Sequence, residues 1–314
     1  MIRVVLHPWY PAEVDTALSK MPDVDVLVAG TQDEVAAAMA DGAEVLVTSY
    51  WRDDFLTPSL RWIAGTGAGT EQYPLDRLAA RGIVLTTAHG VHSACVAEHA
   101  FGLLLACTRE LGRSVRNMTQ HRWEPLVGEE LGGKRMLVVG LGLIGEEVAR
   151  RALAWDMSVA GIKRNPLRYD GCVSDVRGPA ALAELCEWAD VVVISAPSTA
   201  DTRSLIGARE LSMLGSGWLV NVGRGALVDH EALYAALTDG QLRGAGLDVT
   251  DPEPLPADSP LWDLPNVVVS AHGAGASPGY GPRWGKLFEQ NLVAFTVGGT
   301  WLNRIEFTER TGDR

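Results

Sequence analysis

Met136-Leu-Val-Val-Gly-Leu-Gly-Leu-Ile-Gly145 decides the reading of this chain: four apolar residues run into Gly-x-Gly-x-x-Gly, and Glu146-Glu-Val-Ala-Arg-Arg-Ala-Leu-Ala-Trp155 follows with helical character. The order is strand, tight turn, helix. In such a unit Gly140 permits the turn, Gly142 lets a pyrophosphate approach bare backbone, and Gly145 lets the helix pack close to the strand. The helix N-terminus then points its free N–H groups at the phosphates. The glycines alone also describe an ordinary turn; the flanking strand and helix make a dinucleotide site the expectation.

Working outward, 314 residues are enough for two domains that each bury a core, and 47% hydrophobic against 21% charged residues describes a globular chain. A net charge of −12 and a pI near 5.0 argue against nucleic acid or an anionic membrane as partner. A small anionic substrate would need local arginine or lysine. Cys95, Cys107, Cys172 and Cys186 show neither Cys-x-x-Cys nor metal spacing, so buried free thiols and no metal are expected. Met1-Ile-Arg-Val-Val-Leu6 enters a strand directly, and the apolar run Ala100 to Cys107 is too short to span a bilayer. The expected location is the cytoplasm.

Short apolar strands alternate with helical patterns throughout, which is α/β grammar with parallel sheets. Ile2–Leu6, Val24–Ala29, Glu44–Val47, Leu60–Ile63 and Val84–Thr86 are the first strands, with a capping box Thr31-Gln-Asp-Glu34 opening a helix over Val35–Ala40 and Leu75–Arg81 closing at Gly82. A long helix from Ala94 to about Met118 is apolar on more than one face, which predicts burial by something besides its own domain. From Met136 the alternation restarts, with strands at Ser158–Ile162, Val191–Ile194, Leu219–Val222, Ala245–Val249 and Val267–Ser270, helices at Ala180–Trp188 and His230–Thr238, and a last helix from Arg283 to Thr296. Two sets of βα units predict two doubly wound parallel sheets. Residues 1–92 and 274–314 form one domain and 93–273 the other, a Rossmann domain inserted into a flavodoxin-like one.

The chemistry collects at strand ends. An adenosine ribose normally rests against an acid about 20 residues past the glycines, yet Lys163-Arg164 stands there, with Lys163 at 163 − 145 = 18 residues past Gly145. Two cations suit a 2′-phosphate, so NADP(H) is expected over NAD(H). Val220-Asn-Val-Gly-Arg-Gly225, Leu247-Asp-Val-Thr-Asp-Pro-Glu-Pro254 and Ser270-Ala-His-Gly273 all fall at carboxyl ends of predicted strands, so Arg224, Glu253 and His272 meet at the nicotinamide although far apart in sequence.

Gly140-Leu-Gly-Leu-Ile-Gly145, Asn221-Val-Gly-Arg-Gly-Ala-Leu-Val-Asp229, Leu247-Asp-Val with Glu253-Pro-Leu, and Pro265-Asn-Val with His272, together with Val96-Ala-Glu-His-Ala100 and Gly67-Ala-Gly69, form an ordered set over about Leu60 to Gly275. The chain resembles the D-isomer-specific 2-hydroxyacid dehydrogenases. That resemblance implies a catalytic role for Arg224, His272 and the supporting Glu253, substrate-carboxylate binding by the backbone of Ala68 and Gly69 with Arg224 and His272, and Asp248 near the nicotinamide carboxamide. It further implies cofactor contacts at Gly140, Gly142, Leu143, Ile144, Gly145, Pro197, Thr202, Val222, Gly223, Arg224, Asp248 and His272, besides Lys163 and Arg164, and a homodimer formed through the region around Val96–Thr108. Lys163 in place of the usual Asp departs from the NAD-binding pattern, and Glu71 stands near a position that is usually Asp.

The triad has its own logic. A ketone receiving a hydride must also gain a proton, which a charged histidine supplies. A carboxylate on the other ring nitrogen favours the charged imidazole and fixes its orientation, and a forked arginine holds a carboxylate where alkoxide charge develops. The expected activity is NADPH-preferring reduction of a small 2-keto acid, of the glyoxylate or hydroxypyruvate type, to the D-2-hydroxy acid. Two rivals stand beside it: a corepressor-like module that binds NAD(P)(H) without turnover, and a phosphite-type dehydrogenase whose oxyanion uses the same arginine. Trp9, Tyr50, Trp51, Arg52, Trp123, Arg283 and Trp284 are candidates for a roof that selects the keto-acid side chain, with core packing the alternative for each tryptophan. His7, His89, His92, His99, His121 and His230 have no matching partners in the sequence and read as structural or surface residues.

Overall fold

The computed structural model describes residues 1–7, 14, 18, 21 and 23–307. Trp9 therefore lies outside the described residues. The chain divides into two compact units, Met1–His92 with Ser277–Arg314, and Ser93–Ala276.

The first unit is built on a parallel sheet of β1 (Ile2–Leu6), β2 (Val24–Val28), β3 (Val45–Thr48), β4 (Trp62–Gly65) and β5 (Val84–Thr86), in the spatial order β2-β1-β3-β4-β5. Alternate side chains feed two cores, as the two-residue strand period requires. Val45 and Val47 face one, and Leu46 faces the other with Val35 and Met39 of α1 (Gln32–Ala40) and Leu78 of α2 (Leu75–Ala80). Helix α1 starts three residues before the expected Val35. Thr31 Oγ1 accepts from the Glu34 amide at 3.2 Å, while the Glu34 carboxylate reaches past Thr31 to the Gly30 amide at 2.6 Å, so the cap is wider than a simple box.

Helix α3 (Ser93–Thr108) opens the second unit, and α4 (Leu111–Thr119) follows. The single long helix expected from Ala94 to Met118 is thus broken at Arg109-Glu110, where Glu110 takes a left-handed conformation with φ 57°. The apolar faces of α3 also find a simpler cover than expected. Val96, Ala97, Ala100, Phe101, Leu103 and Leu104 join the core of their own unit. Leu111, Val115 and Met118 of α4 are exposed instead.

A seven-stranded parallel sheet completes this unit: β6 (Arg135–Val139), β7 (Ser158–Ile162), β8 (Asp175–Arg177), β9 (Val191–Ile194), β10 (Trp218–Asn221), β11 (Gly244–Leu247) and β12 (Val267–Val269). Their order, β12-β11-β10-β9-β6-β7-β8, reverses direction between β6 and β9. Ligands of doubly wound sheets bind outside the carboxyl ends at such a reversal. Helices α5 (Leu143–Ala154), α6 (Leu182–Trp188), α7 (Ala208–Leu214) and α8 (His230–Thr238) join the strands; α7 and β8 escaped the sequence reading because both are short and only weakly periodic. Helix α9 (Tyr280–Val297) returns to the first unit, where Trp284, Phe288 and Leu292 are buried in the core. Truncating a buried aromatic such as Phe288 to alanine would cost about 3–5 kcal/mol.

The second crossing between units falls at Ala276–Ser277 rather than after residue 273. The Asp248 carboxylate explains the difference, because it accepts hydrogen bonds from the amides of Gly273 and Ala274 at 2.8 and 3.1 Å and ties them to the second unit. The expectation of buried thiols holds for Cys186 alone: Cys95 and Cys107 are half-buried and Cys172 is exposed, since Cys172 lies in the loop between β7 and β8 and not in a packed segment. Among the described residues no helix is long and apolar enough to cross a membrane.

His7, at the end of β1, is 4% exposed and its Nδ1 lies 2.9 Å from Thr48 Oγ1. Burial lowers its pKa from the ordinary 6.5, and burial likewise lowers that of His230, with Asp251 and Asp229 opposing. Burial therefore favours the neutral form of both rings. Their contribution is present above the unfolded value and is lost as pH falls through the folded one. Asp54, Asp190 and Glu147, held low mainly by arginine hydrogen bonds, lose theirs only below their ordinary 3.8–4.5. Thermal melting followed by circular dichroism should show Tm falling as pH drops below about 6.5, with a shallower fall in His7→Gln. Equal slopes in the two proteins would remove His7 from this account.

Candidate active site

Strands β10, β11 and β12 lie side by side and parallel, so the turns that follow them share one edge. Asn221, fully buried at the end of β10, shapes the first turn: its Nδ2 donates to Arg224 O at 2.9 Å and its Oδ1 accepts from the Gly223 amide at 3.0 Å. Arg224 is presented by that turn, half-buried, with Nη1 on Gly223 O at 2.8 Å. The neighbouring turn presses against it, because a Cβ on Gly225 would stand 1.9 Å from the Thr250 carbonyl carbon. Only glycine fits there.

After β11, Thr250 organises the proline-rich turn, its amide donating to Glu253 Oε1 at 3.1 Å and its hydroxyl to Pro252 O at 2.9 Å. Glu253 Oε2 in turn accepts from His272 Nδ1 at 2.9 Å. The pair is open to solvent on its own unit, with side chains 38% and 52% exposed. An exposed pair contributes little to stability, about 0–1 kcal/mol, so its consequence is orientation. With Nδ1–H donated to the carboxylate, Nε2 faces outward as the group able to exchange a proton.

His272 sits in a strap, Ser270 to Ala274, wrapped around Asp248. Ala271 and His272 both adopt left-handed backbone, φ 47° and 54°, a conformation costing about 1–2 kcal/mol per residue outside glycine. The strap is held by Asp248, whose carbonyl accepts from the His272 amide at 2.6 Å and whose carboxylate accepts from Ser270 Oγ, Gly273 N and Ala274 N. Asp248 is only 3% exposed. The carboxylate that the resemblance places near the nicotinamide carboxamide is thus held by the strap. His99, read from sequence as structural or surface, joins the same network through Ser270 Oγ at 2.7 Å. Its place in Val96-Ala-Glu-His-Ala100 is visible in the sequence, but its partner is not, because Ser270 lies 171 residues away.

At the sheet reversal, Gly140 (φ 101°) leaves no room for a Cβ, which would lie 2.6 Å from Ala196 Cα, and a Cβ on Gly145 would lie 2.2 Å from Gly140 O. A Cβ on Gly142 would meet nothing within 4 Å. Gly142 and Leu143 are exposed, Ile144 is half-buried, and the N-terminus of α5 has no side-chain cap. Open space above uncapped N–H groups suits a pyrophosphate, so these residues fit a dinucleotide. Lys163, at the end of β7, places Nζ 2.5 Å from Leu141 O and 5.7 Å from the centre of the Tyr169 ring; Arg164 beside it is exposed. Tyr169 is tied to the α5 first turn by a hydrogen bond to Glu146. Burial pushes the Glu146 carboxyl up, but Tyr169, the Cys172 amide and Arg150 outweigh it and hold it low. Val222 and Gly223 are buried, and Thr202 Oγ1 donates to Pro197 O at 2.9 Å, closing the turn after β9.

In the first unit, Ala68 is exposed and Gly69 half-buried just past β4, whose end is fixed by Tyr280 Oη on Thr66 O at 2.5 Å and Trp284 Nε1 on Gly65 O at 3.1 Å. Trp284 is therefore core, and Arg283 binds the Val91 carbonyl at 2.7 Å. Arg52 is engaged with Asp33 and Asp54, and Trp51 packs edge-on against Phe55 and Tyr73. Of the expected roof residues among the described ones, Arg283, Tyr50 and Trp123 are exposed, the last two at 49% and 97%.

Comparison with known proteins agrees with this geometry. The family model for the NAD binding domain of D-isomer specific 2-hydroxyacid dehydrogenases matches residues 101–274. A glyoxylate reductase of Korarchaeum cryptofilum is 32% identical over 92% of this chain and 84% of its own length. A D-3-phosphoglycerate dehydrogenase of Methanocaldococcus jannaschii is 33% identical over 88% of this chain, which spans only 54% of that longer protein. Among solved structures, an NADPH-dependent glyoxylate/hydroxypyruvate reductase from Sinorhizobium meliloti superposes with a TM-score of 0.86 at 32% identity, covering 98% of each chain. The two parallel α/β units, the nicotinamide-dinucleotide loop and these matches establish that the chain belongs to the D-isomer specific 2-hydroxyacid dehydrogenase family of NAD(P)-dependent oxidoreductases.

Proposed function

We propose that the protein reduces a small 2-keto acid of the glyoxylate or hydroxypyruvate type to the D-2-hydroxy acid, with NADPH preferred over NADH, as a cytoplasmic homodimer. The observation that carries the reaction is the 2.9 Å bond between His272 Nδ1 and Glu253, which leaves Nε2 outward on the same edge as Arg224. A bound reduced nicotinamide supplies the hydride. His272 Nε2 gives a proton to the carbonyl oxygen, Glu253 steadies the charged ring before that transfer, and Arg224 holds the keto-acid carboxylate and polarises the ketone. A full proton-donor set weighs against a pure binding module, which has no use for one. Glyoxylate and hydroxypyruvate reductases that align over more than four-fifths of their length support the substrate class, and D-3-phosphoglycerate oxidation is the rival that the longer relatives raise.

Lys163 and Arg164 support NADPH by charge, standing where an acid would repel a 2′-phosphate. The S. meliloti reductase, also solved with NADP and malonate, shares 32% identity. For the dimer, the exposed apolar residues Leu111, Val115, Met118, Trp123 and Val127 extend the contact beyond the Val96–Thr108 region, whose apolar face packs in its own unit while Glu98 and Gly102 stay exposed.

Purified protein assayed with NADPH and with NADH on glyoxylate, hydroxypyruvate, pyruvate and 3-phosphohydroxypyruvate should turn over the first two fastest, and faster with NADPH. Absence of turnover on every keto acid would sink the reading; phosphite oxidation with NADP⁺ would point to the phosphite-type rival. In Lys163→Asp/Arg164→Ala, kcat/KM for NADPH should drop by about tenfold or more while that for NADH changes little; equal losses would give the cations another role. Gly142→Ala should melt like the wild type yet bind NADPH about tenfold more weakly, because its methyl enters the phosphate cradle and not the core, whereas Gly145→Ala should lose stability by the 1–3 kcal/mol typical of overpacking, about 2–12 °C in Tm at roughly 2–4 °C per kcal/mol. A Gly142→Ala protein that binds NADPH normally would displace the cofactor from this loop.

A further inference from the structure

We infer that His99 is a positioning residue for His272, acting through Ser270 and the buried carboxylate of Asp248; the inference rests on the reductase reading above. Directionality follows from the donor inventory. An ionised carboxylate only accepts, so the Ser270 hydroxyl spends its one hydrogen on Asp248 Oδ1, 2.8 Å away. Its oxygen is then an acceptor for His99 Nε2 at 2.7 Å. His99 therefore carries its hydrogen on Nε2, which also lies 3.5 Å from Asp248 Oδ1. The chain of bonds runs His99 to Ser270 to Asp248.

Three facts give this chain a consequence at the reacting group. Asp248 has no lysine or arginine within 4 Å among the described residues, and His99 Nε2 is the one basic side-chain nitrogen that close to its carboxylate. The strap hung on Asp248 carries two left-handed residues, Ala271 and His272, that no glycine relieves. Finally, the His272 amide itself is bonded to Asp248 O at 2.6 Å. His99 projects from α3, whose flanking Val96, Ala97 and Ala100 are buried, which makes it a fixed post and not a mobile arm. Without its Nε2–H, Ser270 loses a donor, its hydroxyl is free to turn, and the strap holding His272 slackens. A misplacement well short of an ångström at a proton donor is enough to lower turnover without touching cofactor binding.

The test compares His99→Leu, His99→Gln and Ser270→Ala in glyoxylate reduction, with melting temperatures measured alongside. Gln keeps an N–H donor near the position of Nε2. His99→Leu should lower kcat about tenfold with KM for NADPH unchanged, His99→Gln should recover to within about twofold of wild type, and His99→Leu/Ser270→Ala should be no worse than the poorer single variant. Wild-type kcat in His99→Leu, no recovery in His99→Gln, or multiplying losses in the double variant would overturn the inference. Should His99→Leu fail to fold, His99→Gln against Ser270→Ala decides: the former near wild type and the latter low supports it, and any other pattern contradicts it. If the wild-type protein reduces no keto acid, the functional reading fails separately. Nitrogen-15 spectra of the imidazole rings then judge His99: the His272 signals, assigned with His272→Asn, should move in Ser270→Ala and stay in place in His99→Gln, and unmoved signals in Ser270→Ala would end the proposal.

Discussion

A carboxylate buried to 3% exposure, with hydrogen-bond donors on several sides, holds the chemistry of this protein in place. Asp248 closes β11 and gathers the amides of Gly273 and Ala274, the hydroxyl of Ser270 and, through its own carbonyl, the amide of His272. Burying an ionised group is costly unless its lone pairs are satisfied, and here the satisfying groups come from the strap that carries His272. The constraint works in both directions: the strap keeps Asp248 supplied, and Asp248 keeps Ala271 and His272 in backbone conformations they would otherwise leave.

The rest of the edge follows from strand order. Because β10, β11 and β12 are parallel neighbours, residues separated by 29 and 19 positions, Arg224 to Glu253 and Glu253 to His272, arrive on adjacent turns. Each turn has a local organiser beside the functional side chain: Asn221 for Arg224, Thr250 for Glu253, Asp248 for His272. The functional groups themselves are half-buried or exposed, and their supports are largely buried. This division lets a charged group face a substrate without loosening the turn that aims it. At the other side of the sheet reversal the same economy recurs, with Gly140 pinned by Ser195 and Ala196 while Gly142 and Leu143 stay open.

Much of this was legible in the sequence because it is written in local patterns. Gly140 to Gly145 between a strand and a helix, Lys163 in place of an acid, and Arg224, Glu253 and His272 after apolar runs all carry their signals within a few residues. What escaped was decided at long range. The break at Glu110 depends on how α3 seats on the sheet of its own unit, and the apolar faces of α3 look unpartnered until that sheet is present. His99 reads as a structural or surface histidine because its partner, Ser270, is distant in sequence. Trp284, a candidate roof residue from its loop-like surroundings, is core because the Gly-rich run before it ends at once in α9.

The central claim is that His272 delivers the proton and Arg224 holds the acid, on a unit whose Gly140–Gly145 loop supplies most of the hold on the dinucleotide. Its most direct test is steady-state reduction of glyoxylate by His272→Asn and Arg224→Gln, with NADPH affinity measured by fluorescence in the same preparations. The account predicts kcat/KM lowered by about 10²–10⁴-fold in each variant, with NADPH bound as in the wild type. Turnover retained in His272→Asn, or lost only in step with NADPH binding, would contradict it.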